Sequence, residues 1–468
     1  MPNTKQILAL NRFDERDAAD LDAELESLFA RRQAAFGASS VLFYQRPIRM
    51  VRAEGVWMFD ADGRKYLDVY NNVASVGHCH PRVVKAIAKQ AATLNTNTRY
   101  LYDNIHDYAE RLLKTYPARL SNIVFTCTGS ESNDLALRLT KSFTGGSGFI
   151  VTETAYHGNT EAVTAVSPSS FKTRSVPPHV RTVPAPDHYR HPTNDLGARF
   201  AEDVANAIAD LERNGVKFGG LLVDSIFSSD GIYTDPPGFL KQAVDTVHAA
   251  GGLFISDEVQ PGFGRTGSGM WGFERHGIEP DIVTMGKPMG NGFPVAGVVT
   301  RPEILDSLCE TTGYFNTFGG NPVAAAAGLA VLDVIEDEGL IENAKEVGRY
   351  FRAELHELKG RHPGIGDIRG AGLFIGIEFS LPGTNEPDPA TASYLINALK
   401  ERGILIGAAG AYGNVLKVRP PLCFARDNAD FFIETLNAVL RDRPAGSAEL
   451  VSLQQQAHHG PKGPKTRG

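Results

Sequence analysis

Lys287 occupies the position in the sequence that points most directly to chemistry. It follows the apolar run Ile282–Met285 and opens a turn that contains Pro288, Gly290 and Gly292. A lysine at the end of a buried strand is either paired or desolvated, and a desolvated lysine amine is a nucleophile. An isolated Gly-Lys pair is more often a surface lysine after a strand, so the assignment depends on the residues around it.

Asp257 is the first of these residues. It is the last residue of the apolar run 253–257, and Lys287 comes just after the run 282–285. Both side chains are therefore placed at the end of a predicted strand. A carboxylate at a strand end can hold a proton on the ring nitrogen of an aromatic cofactor, and a lysine nearby can form a Schiff base with an aldehyde. The pair therefore suggests pyridoxal phosphate (PLP). The alternative for Asp257 is an aspartate that only caps a helix.

An anion site is indicated by the segment around Gly129 and Ser130. The segment follows a strand and opens a helix, and Thr128 and Glu131 have the spacing of a capping box. Free amides at a helix N-terminus, with a glycine for close approach, are suited to a phosphate group. The alternative is a plain helix cap without a ligand.

Two more polar or aromatic residues follow predicted strands. Tyr156 could stack on a pyridine ring or simply pack on the sheet edge, and Gln260 could reach the ring oxygen of the cofactor. Ligands of open α/β sheets bind beyond the carboxyl ends of the strands. Three strand ends and one lysine would then converge on a single PLP.

Composition limits the other possibilities. The 468 residues, of which 42% are hydrophobic, are too many for one simple core, so two or more domains are expected. A net charge of −7 gives no basic footprint for nucleic acid. The four cysteines form no CxxC pair, so neither zinc nor a disulfide framework is predicted. Without an apolar stretch for a signal peptide or membrane span, we expect a cytoplasmic protein with no metal, nucleic-acid or membrane partner.

The order of predicted elements indicates an α/β fold. We predict an N-terminal segment at 1–75 with a helix and a hairpin, a large PLP-binding domain at 76–327, a smaller α+β C-terminal domain at 328–441, and a disordered tail at 442–468. Apolar runs alternate with helical stretches in the large domain, which favours a mostly parallel sheet with helices on both faces. The runs read as strands are 123–127, 148–152, 219–224, 253–257, 282–285 and 296–300, and a long helical region is predicted at 323–359.

With these residues in view, the sequence resembles the class III aminotransferase family of fold-type I PLP enzymes over about residues 35–440. The resemblance implies a large domain with a mostly parallel seven-stranded sheet. It also implies that Lys287 carries PLP and that Asp257 pairs with its ring nitrogen. By the same match, Gln260 contacts the ring oxygen and Tyr156 stacks on the ring. Gly129 and Ser130, which also match the family, would bind the cofactor's phosphate.

The resemblance also implies an obligate homodimer with shared active sites. The segment 315–322 matches the family segment whose threonine, here Thr317, reaches the cofactor phosphate of the neighbouring subunit. Segments 71–81, 94–100, 286–292, 314–322 and 366–370 are similar to one subgroup, the alanine–glyoxylate aminotransferase 2-like proteins that include ethanolamine-phosphate phospho-lyase.

The substrate side departs from the family pattern. Arg419 matches the arginine that binds the substrate carboxylate in many class III enzymes, whereas the phospho-lyase has lysine there. The family glutamate that pairs with this arginine is Asp224 here, and Cys127 and Ser132 replace the commoner Asn and Ala. We expect the substrate pocket to include Arg419, and also two aromatic residues, Tyr44 and Tyr70.

Two activities agree with this set of residues. One is a phospho-lyase that eliminates phosphate from O-phosphoethanolamine, and the other is an ω-aminotransferase that passes an amino group to a keto acid. A guanidinium group such as that of Arg419 binds phosphate and carboxylate equally well in bidentate fashion. A third possibility is a non-catalytic protein that keeps the fold, and the intact lysine and aspartate argue against it.

Overall fold

The N-terminal part of the chain contributes one helix and most of a small sheet. The structure is a computed structural model that describes residues 12–39, 41–173 and 175–443. Helix α1 (Ala23–Phe36) is capped by Asp22, whose side chain accepts a hydrogen bond from the backbone N of Leu25 at 3.0 Å. Strands β1 (Met50–Glu54), β2 (Trp57–Asp60) and β3 (Lys65–Asp68) follow as an antiparallel meander. The predicted helix and hairpin are present, and β1 was not predicted.

A seven-stranded sheet forms the centre of the chain, in the order β4-β10-β9-β8-β7-β5-β6. Its strands are β4 (Asn122–Thr126), β5 (Gly148–Thr152), β6 (Val180–Val183), β7 (Phe218–Val223), β8 (Leu253–Asp257), β9 (Ile282–Met285) and β10 (Ala296–Thr300). Strand β10 runs antiparallel to β4 and β9, and the other pairs are parallel. The predicted α/β fold with a mostly parallel seven-stranded sheet is confirmed, and β6 is the strand that the predicted runs omitted.

Helices cover both faces of this sheet because both faces of its strands are apolar. Leu222 and Ile255 pack with the leucines of α4 on one face, whereas Leu221 and Phe254 pack with α6 and α7 on the other. The helices of this region are α2 (Pro81–Ala91), α3 (Asp103–Leu113), α4 (Gly129–Thr144), α5 (Glu161–Ala165), α6 (Leu196–Arg213), α7 (Leu240–Ala249), α8 (Pro302–Cys309) and α9 (Pro322–Asp337).

The C-terminal part is an α+β unit built on the sheet β11-β12-β15-β14. Its elements are α10 (Leu340–Arg361), β11 (Ile365–Ala371), β12 (Phe374–Phe379), α11 (Pro389–Glu401), β13 (Ile404–Leu405), β14 (Gly407–Ala409), β15 (Val415–Val418) and α12 (Arg426–Arg441). Strand β13 leaves this sheet and pairs in parallel with β3. The long helical region predicted at 323–359 is confirmed, and it consists of two helices: α9 ends before α10 begins because Gly339 takes a left-handed φ of 61° between them.

The domain boundaries stay a prediction. Residues 444–468, nearly all of the tail that we predicted to be disordered, lie outside the described residues. In the part of the chain that the structure describes, no helix is long and apolar enough to cross a membrane.

Candidate active site

A cavity of about 290 Å³ opens at the carboxyl ends of the parallel strands. Strands β4, β5, β7, β8 and β9 all end at this edge, and the residue or loop after each one reaches the cavity. The predicted residues that line it are Gly129, Ser130, Tyr156, Asp257, Gln260 and Lys287, together with Asp224 and Cys127. The sheet therefore brings together most of the residues that were singled out separately along the sequence.

Lys287 extends into the cavity from a turn that is fixed on its far side. Asn291, with a left-handed φ of 49°, ends this turn and bonds the backbone of Val76 and Gly77 at 3.0 and 2.8 Å. Ser75 Oγ donates to the carbonyl of Pro288 at 2.9 Å. The turn is thus anchored to the segment that follows β3.

The amine of Lys287 has no hydrogen-bond or ion-pair partner among the described residues, although the side chain is accessible to water inside the cavity. Enclosure by the surrounding protein lowers the pKa of Lys287, the positive charge of Arg419 adds to this, and Asp257 and Asp224 act in the opposite direction. A lysine with a lowered pKa has a larger fraction of neutral, nucleophilic amine at neutral pH.

Asp257 is held by three hydrogen-bonding groups. His157 Nδ1 lies 2.7 Å and Asn133 Nδ2 lies 3.0 Å from its Oδ2, and the backbone N of Val259 donates to its Oδ1 at 3.0 Å. Asn133 is itself oriented by Thr284, whose hydroxyl donates to the amide oxygen at 2.7 Å. The carboxylate, 4% exposed, is fixed in one orientation at the cavity wall.

His157 and Asn133 are the functional residues that sequence reasoning missed. The sequence analysis assigned no role to either residue. A histidine directly after Tyr156, and an asparagine one helical turn after Gly129, were the available signals.

The first turn of α4 forms the end of the cavity nearest Gly129 and Ser130. Thr128 Oγ1 accepts from the backbone N of Glu131 at 3.2 Å, and the Glu131 carboxylate accepts from the backbone N of Cys127 at 2.7 Å. Close packing requires two glycines here. A β-carbon on Gly129 would lie 2.9 Å from Val259 Cγ2, and one on Gly158 would lie 2.5 Å from Ser130 Oγ.

Arg419 lies beside the cavity and is tied to it through Gln260. Its Nη1 donates to Gln260 Oε1 at 2.8 Å and to Asn72 Oδ1 at 3.4 Å, and its guanidinium carbon stands 4.5 Å from the centre of the Tyr70 ring. Gln260 uses its own amide nitrogen to donate to Ser228 Oγ at 2.6 Å. The arginine is therefore positioned by neutral groups.

The family pairing between Arg419 and Asp224 is absent among the described residues. The Asp224 carboxylate instead accepts hydrogen bonds from the backbone N and the hydroxyl of Ser228, at 2.9 and 2.6 Å. Burial and the nearby Asp257 carboxylate raise the pKa of Asp224. The carboxylate is one methylene shorter than the family glutamate, and it caps the turn after β7.

The remaining predicted residues lie farther from the cavity. Tyr44 is buried, and its hydroxyl donates to the carbonyl of Ile406 at 3.4 Å, whereas Tyr70 packs under Arg419. Thr317 is exposed and does not line the cavity in the described chain. Its neighbour Asn316 contacts the first turn of α4, where Asn316 Nδ2 lies 3.5 Å from Glu131 Oε2.

Comparison with known proteins identifies the family. The sequence pattern of the family described as aminotransferase class-III matches residues 41–440. The chain belongs to the class III aminotransferase family. Enzymes of this family are PLP-dependent, in agreement with the resemblance noted from the sequence.

The similar class III proteins include both lyases and aminotransferases. A protein of Caenorhabditis elegans named ethanolamine-phosphate phospho-lyase homolog 1 is 41% identical over 88% of this chain and 92% of its own length. An Arabidopsis thaliana protein named alanine–glyoxylate aminotransferase 2 homolog 2, mitochondrial, is 42% identical over 88% and 86%.

A solved structure of a phospholyase from Arthrobacter in complex with phosphoethanolamine is 44% identical and has a TM-score of 0.86, with 89% of this chain and 100% of that chain covered. These similarities confirm the predicted subgroup and the fold-type I architecture.

Proposed function

We propose that this chain is a PLP-dependent phospho-lyase that eliminates phosphate from O-phosphoethanolamine. The observation that carries the proposal is the similarity, over the whole length of that chain, to a phospholyase structure described as a complex with phosphoethanolamine. The arginine next to the cavity supports it, because a guanidinium group can bind the phosphate of such a substrate.

The residues at the cavity fit PLP. The amine of Lys287 and the fixed carboxylate of Asp257 line the same cavity. The first turn of α4 supplies backbone N–H groups, and Ser130 supplies a hydroxyl, that can bind a phosphate group. The two glycines Gly129 and Gly158 keep that end of the cavity open, as a phosphate site requires. Bound PLP would supply the electron sink for negative charge that develops at the amine-bearing carbon of the substrate.

Each residue would then have a defined task. Lys287 would hold the cofactor through its Nζ and would take the proton from the amine-bearing carbon of the substrate. Asp257 would keep a proton on the ring nitrogen, with His157 and Asn133 holding its carboxylate in place. Tyr156 would pack against the ring, and the second N–H of the Gln260 amide would be available to the ring oxygen.

Elimination balances with one water molecule as co-reactant. The electron pair of the broken carbon–hydrogen bond forms a carbon–carbon double bond, the carbon–oxygen bond to phosphate breaks, and its electron pair leaves with the phosphate oxygen. The two-carbon enamine regains a proton at its terminal carbon, takes up water and gives acetaldehyde and ammonia. Arg419 would hold the phosphate during this step, and Tyr70 and Tyr44 would form the wall behind it.

The second candidate is an ω-aminotransferase. It uses every residue named above, and the Arabidopsis relative bears an alanine–glyoxylate aminotransferase name. In that reaction Lys287 would return the proton to the cofactor instead of losing a leaving group, and a keto acid such as pyruvate or glyoxylate would be the acceptor.

We also propose a homodimer with shared active sites. Thr317 is exposed and does not line the cavity of its own chain. Two exposed rings lie next to it in the sequence, those of Phe315 and Phe318, with 45% and 70% of their surface accessible. Exposed aromatic residues beside a polar anchor are typical of a subunit interface. The cytoplasmic location stays a prediction, since one of the relatives is named mitochondrial.

One assay separates the two activities. The purified protein, loaded with PLP, is given phosphoethanolamine without any keto acid, and inorganic phosphate and acetaldehyde are measured. We expect both products in equal amounts, and none from Lys287→Ala. No phosphate release, together with amino transfer from an amine to pyruvate, would contradict the lyase and establish the aminotransferase.

A further inference from the structure

Lys417 lies on β15, and Arg419 is the first residue after that strand, two positions further along the chain. Side chains two residues apart in an extended backbone point to the same side. The partners of Lys417 across the sheet are both glycines, Gly376 on β12 and Gly407 on β14. No side chain from either neighbouring strand therefore fills the space beside the lysine.

The side chain of Lys417 is buried, and its ammonium group has no partner in the part of the chain that the structure describes. Only 5% of the residue is exposed, and its Nζ forms no hydrogen bond and no ion pair there. The nearest aromatic face is the ring of Phe374, with its centre 5.4 Å away. A buried cation without a counter-charge is costly, so such a group usually has a function or a ligand.

Lys417 and Arg419 are connected through Tyr70, whose ring packs against the glycine opposite Lys417. A β-carbon on Gly407 would lie 2.8 Å from Tyr70 Cε2, and the Tyr70 ring is the one that packs under Arg419. Burial lowers the pKa of Lys417 strongly, and Arg419 is the charged group that adds most to this effect. Asp224, Lys287 and Asp230 also act on its charge, so the lysine is within electrostatic reach of the reacting groups.

The two carboxylates that act on the charge of Lys417 accept hydrogen bonds from other residues. Asp224 takes its hydrogen bonds from Ser228, and Asp230 takes its own from Thr152 and Thr154 at 2.8 and 2.5 Å. Among the described residues, Arg419 likewise donates hydrogen bonds only to the neutral side chains of Gln260 and Asn72. Lys417 and Arg419 thus have no carboxylate partner of their own in the described chain.

We propose that Lys417 and Arg419 form a two-cation subsite that selects a dianionic phosphate group over a monoanionic carboxylate. Arg419 would supply the bidentate contact, and Lys417 would supply the second charge, because a dianion bound beside it favours the protonated form of its amine. The subsite rests on the proposed function for its substrate, but its anion preference can be measured without turnover.

The test measures anion binding to the PLP-loaded protein, so that the cofactor occupies its own phosphate site. Inorganic phosphate and acetate are titrated calorimetrically against wild type, Lys417→Met, Lys417→Arg and the control Lys400→Met. Lys400 is a suitable control because it is also buried, at 4% exposure, but it pairs with Glu401 on α11 away from the cavity.

We expect Lys417→Met to weaken phosphate binding by about tenfold or more and acetate binding by under about threefold. Lys417→Arg should retain most of the phosphate affinity, and Lys400→Met should match wild type. Lys417→Met should also unfold at a temperature no lower than wild type, since methionine replaces an unpaired buried cation by an apolar chain of similar length.

Unchanged phosphate binding in Lys417→Met, or an equal loss for phosphate and acetate, would overturn the two-cation subsite. So would a large fall in the unfolding temperature of that variant alone, because it would make the lysine structural. If wild type binds phosphate through Lys417 but releases none from phosphoethanolamine, the subsite stands and the proposed lyase reaction fails.

Discussion

The residues of the cavity differ in how firmly the surrounding protein holds them. Asp257 has three hydrogen-bonding partners, whereas the amine of Lys287 has none among the described residues. A group that tunes charge benefits from fixed partners, and a group that forms and breaks bonds must be free to move. This difference supports the separate roles proposed for the two side chains.

Asp257→Asn is predicted to reduce kcat/KM for phosphate release by at least about a hundredfold, because the amide cannot keep the cofactor nitrogen protonated in an enclosed site. Cofactor retention should fall less, since the phosphate end and Lys287 are unchanged. Both quantities follow from product assays and from the PLP content of the purified protein.

The matched control is Asp281→Asn. Asp281 is also buried and lies 2.8 Å from a histidine, His248, but it stands at the opposite end of β9. Its replacement should affect stability and leave kcat/KM within about threefold. A loss below about tenfold in Asp257→Asn would mean that the aspartate only caps a turn.

The sequence could predict the residues that follow strands but not those that support them. Lys287 and Asp257 were recognisable because each ends an apolar run, a local pattern. His157 and Asn133 lie far from Asp257 in the sequence, and their positions relative to it depend on how the loop after β5 and helix α4 pack against β8. No role was predicted for Lys417, because its position between two glycines follows only from the register of β15.

At the scale of elements, strand positions were predictable and strand direction was not. The predicted strands agree with β4, β5, β7, β8, β9 and β10 to within a residue at each end. An apolar run has the same sequence pattern in a buried parallel strand and in a buried antiparallel one. The antiparallel direction of β10 could therefore not be predicted. Strand β6, Val-Arg-Thr-Val, is short and carries an arginine, and its pattern is too weak to identify.

Gly158→Ala is predicted to weaken PLP retention by about tenfold or more. Gly158 has a φ of 146°, and a β-carbon there would meet Ser130 Oγ at 2.5 Å and Ser130 Cα at 2.8 Å. The loop after β5 would have to move away from the first turn of α4, which opens the phosphate end of the cavity. The cofactor dissociation constant, measured by equilibrium dialysis, gives the effect.

Gly215→Ala is the control that distinguishes the loss of this close contact from the effect of backbone strain. Gly215 also has a left-handed φ, 73°, but a β-carbon there would meet nothing within 4 Å. It should lower the unfolding temperature without changing cofactor affinity. Equal losses of affinity in the two variants would contradict a local role for Gly158.

At the scale of the whole molecule, the exposed position of Thr317 leads to a test of the proposed dimer. Lys287→Ala and Thr317→Ala chains are each expected to be inactive when PLP is scarce. After subunit exchange, half of the dimers are mixed, and one site in each would combine an intact Lys287 with an intact Thr317 from the partner. Activity should recover to roughly a quarter of the wild-type value.

The control for this experiment is exchange between Lys287→Ala and the double variant Lys287→Ala, Thr317→Ala, which restores no complete site. Exchange is verified with tagged chains. Mixed dimers that form but recover neither activity nor cofactor would show that Thr317 does not act across an interface.

The pairing of β3 with β13 has a consequence for biosynthesis. Leu67 and Asp68 lie opposite Ile404 and Leu405, and the backbone N of Arg419 donates to the carbonyl of Val69 at 2.9 Å. At a translation rate of roughly 5–20 residues per second, β3 leaves the ribosome on the order of half a minute before its partner.

A nascent chain that ends before β13 therefore lacks one of the two strands that flank β3, ahead of the segment that anchors the Lys287 turn. We expect the cofactor pocket to be completed late in synthesis, so that PLP binds firmly only to chains that are nearly finished.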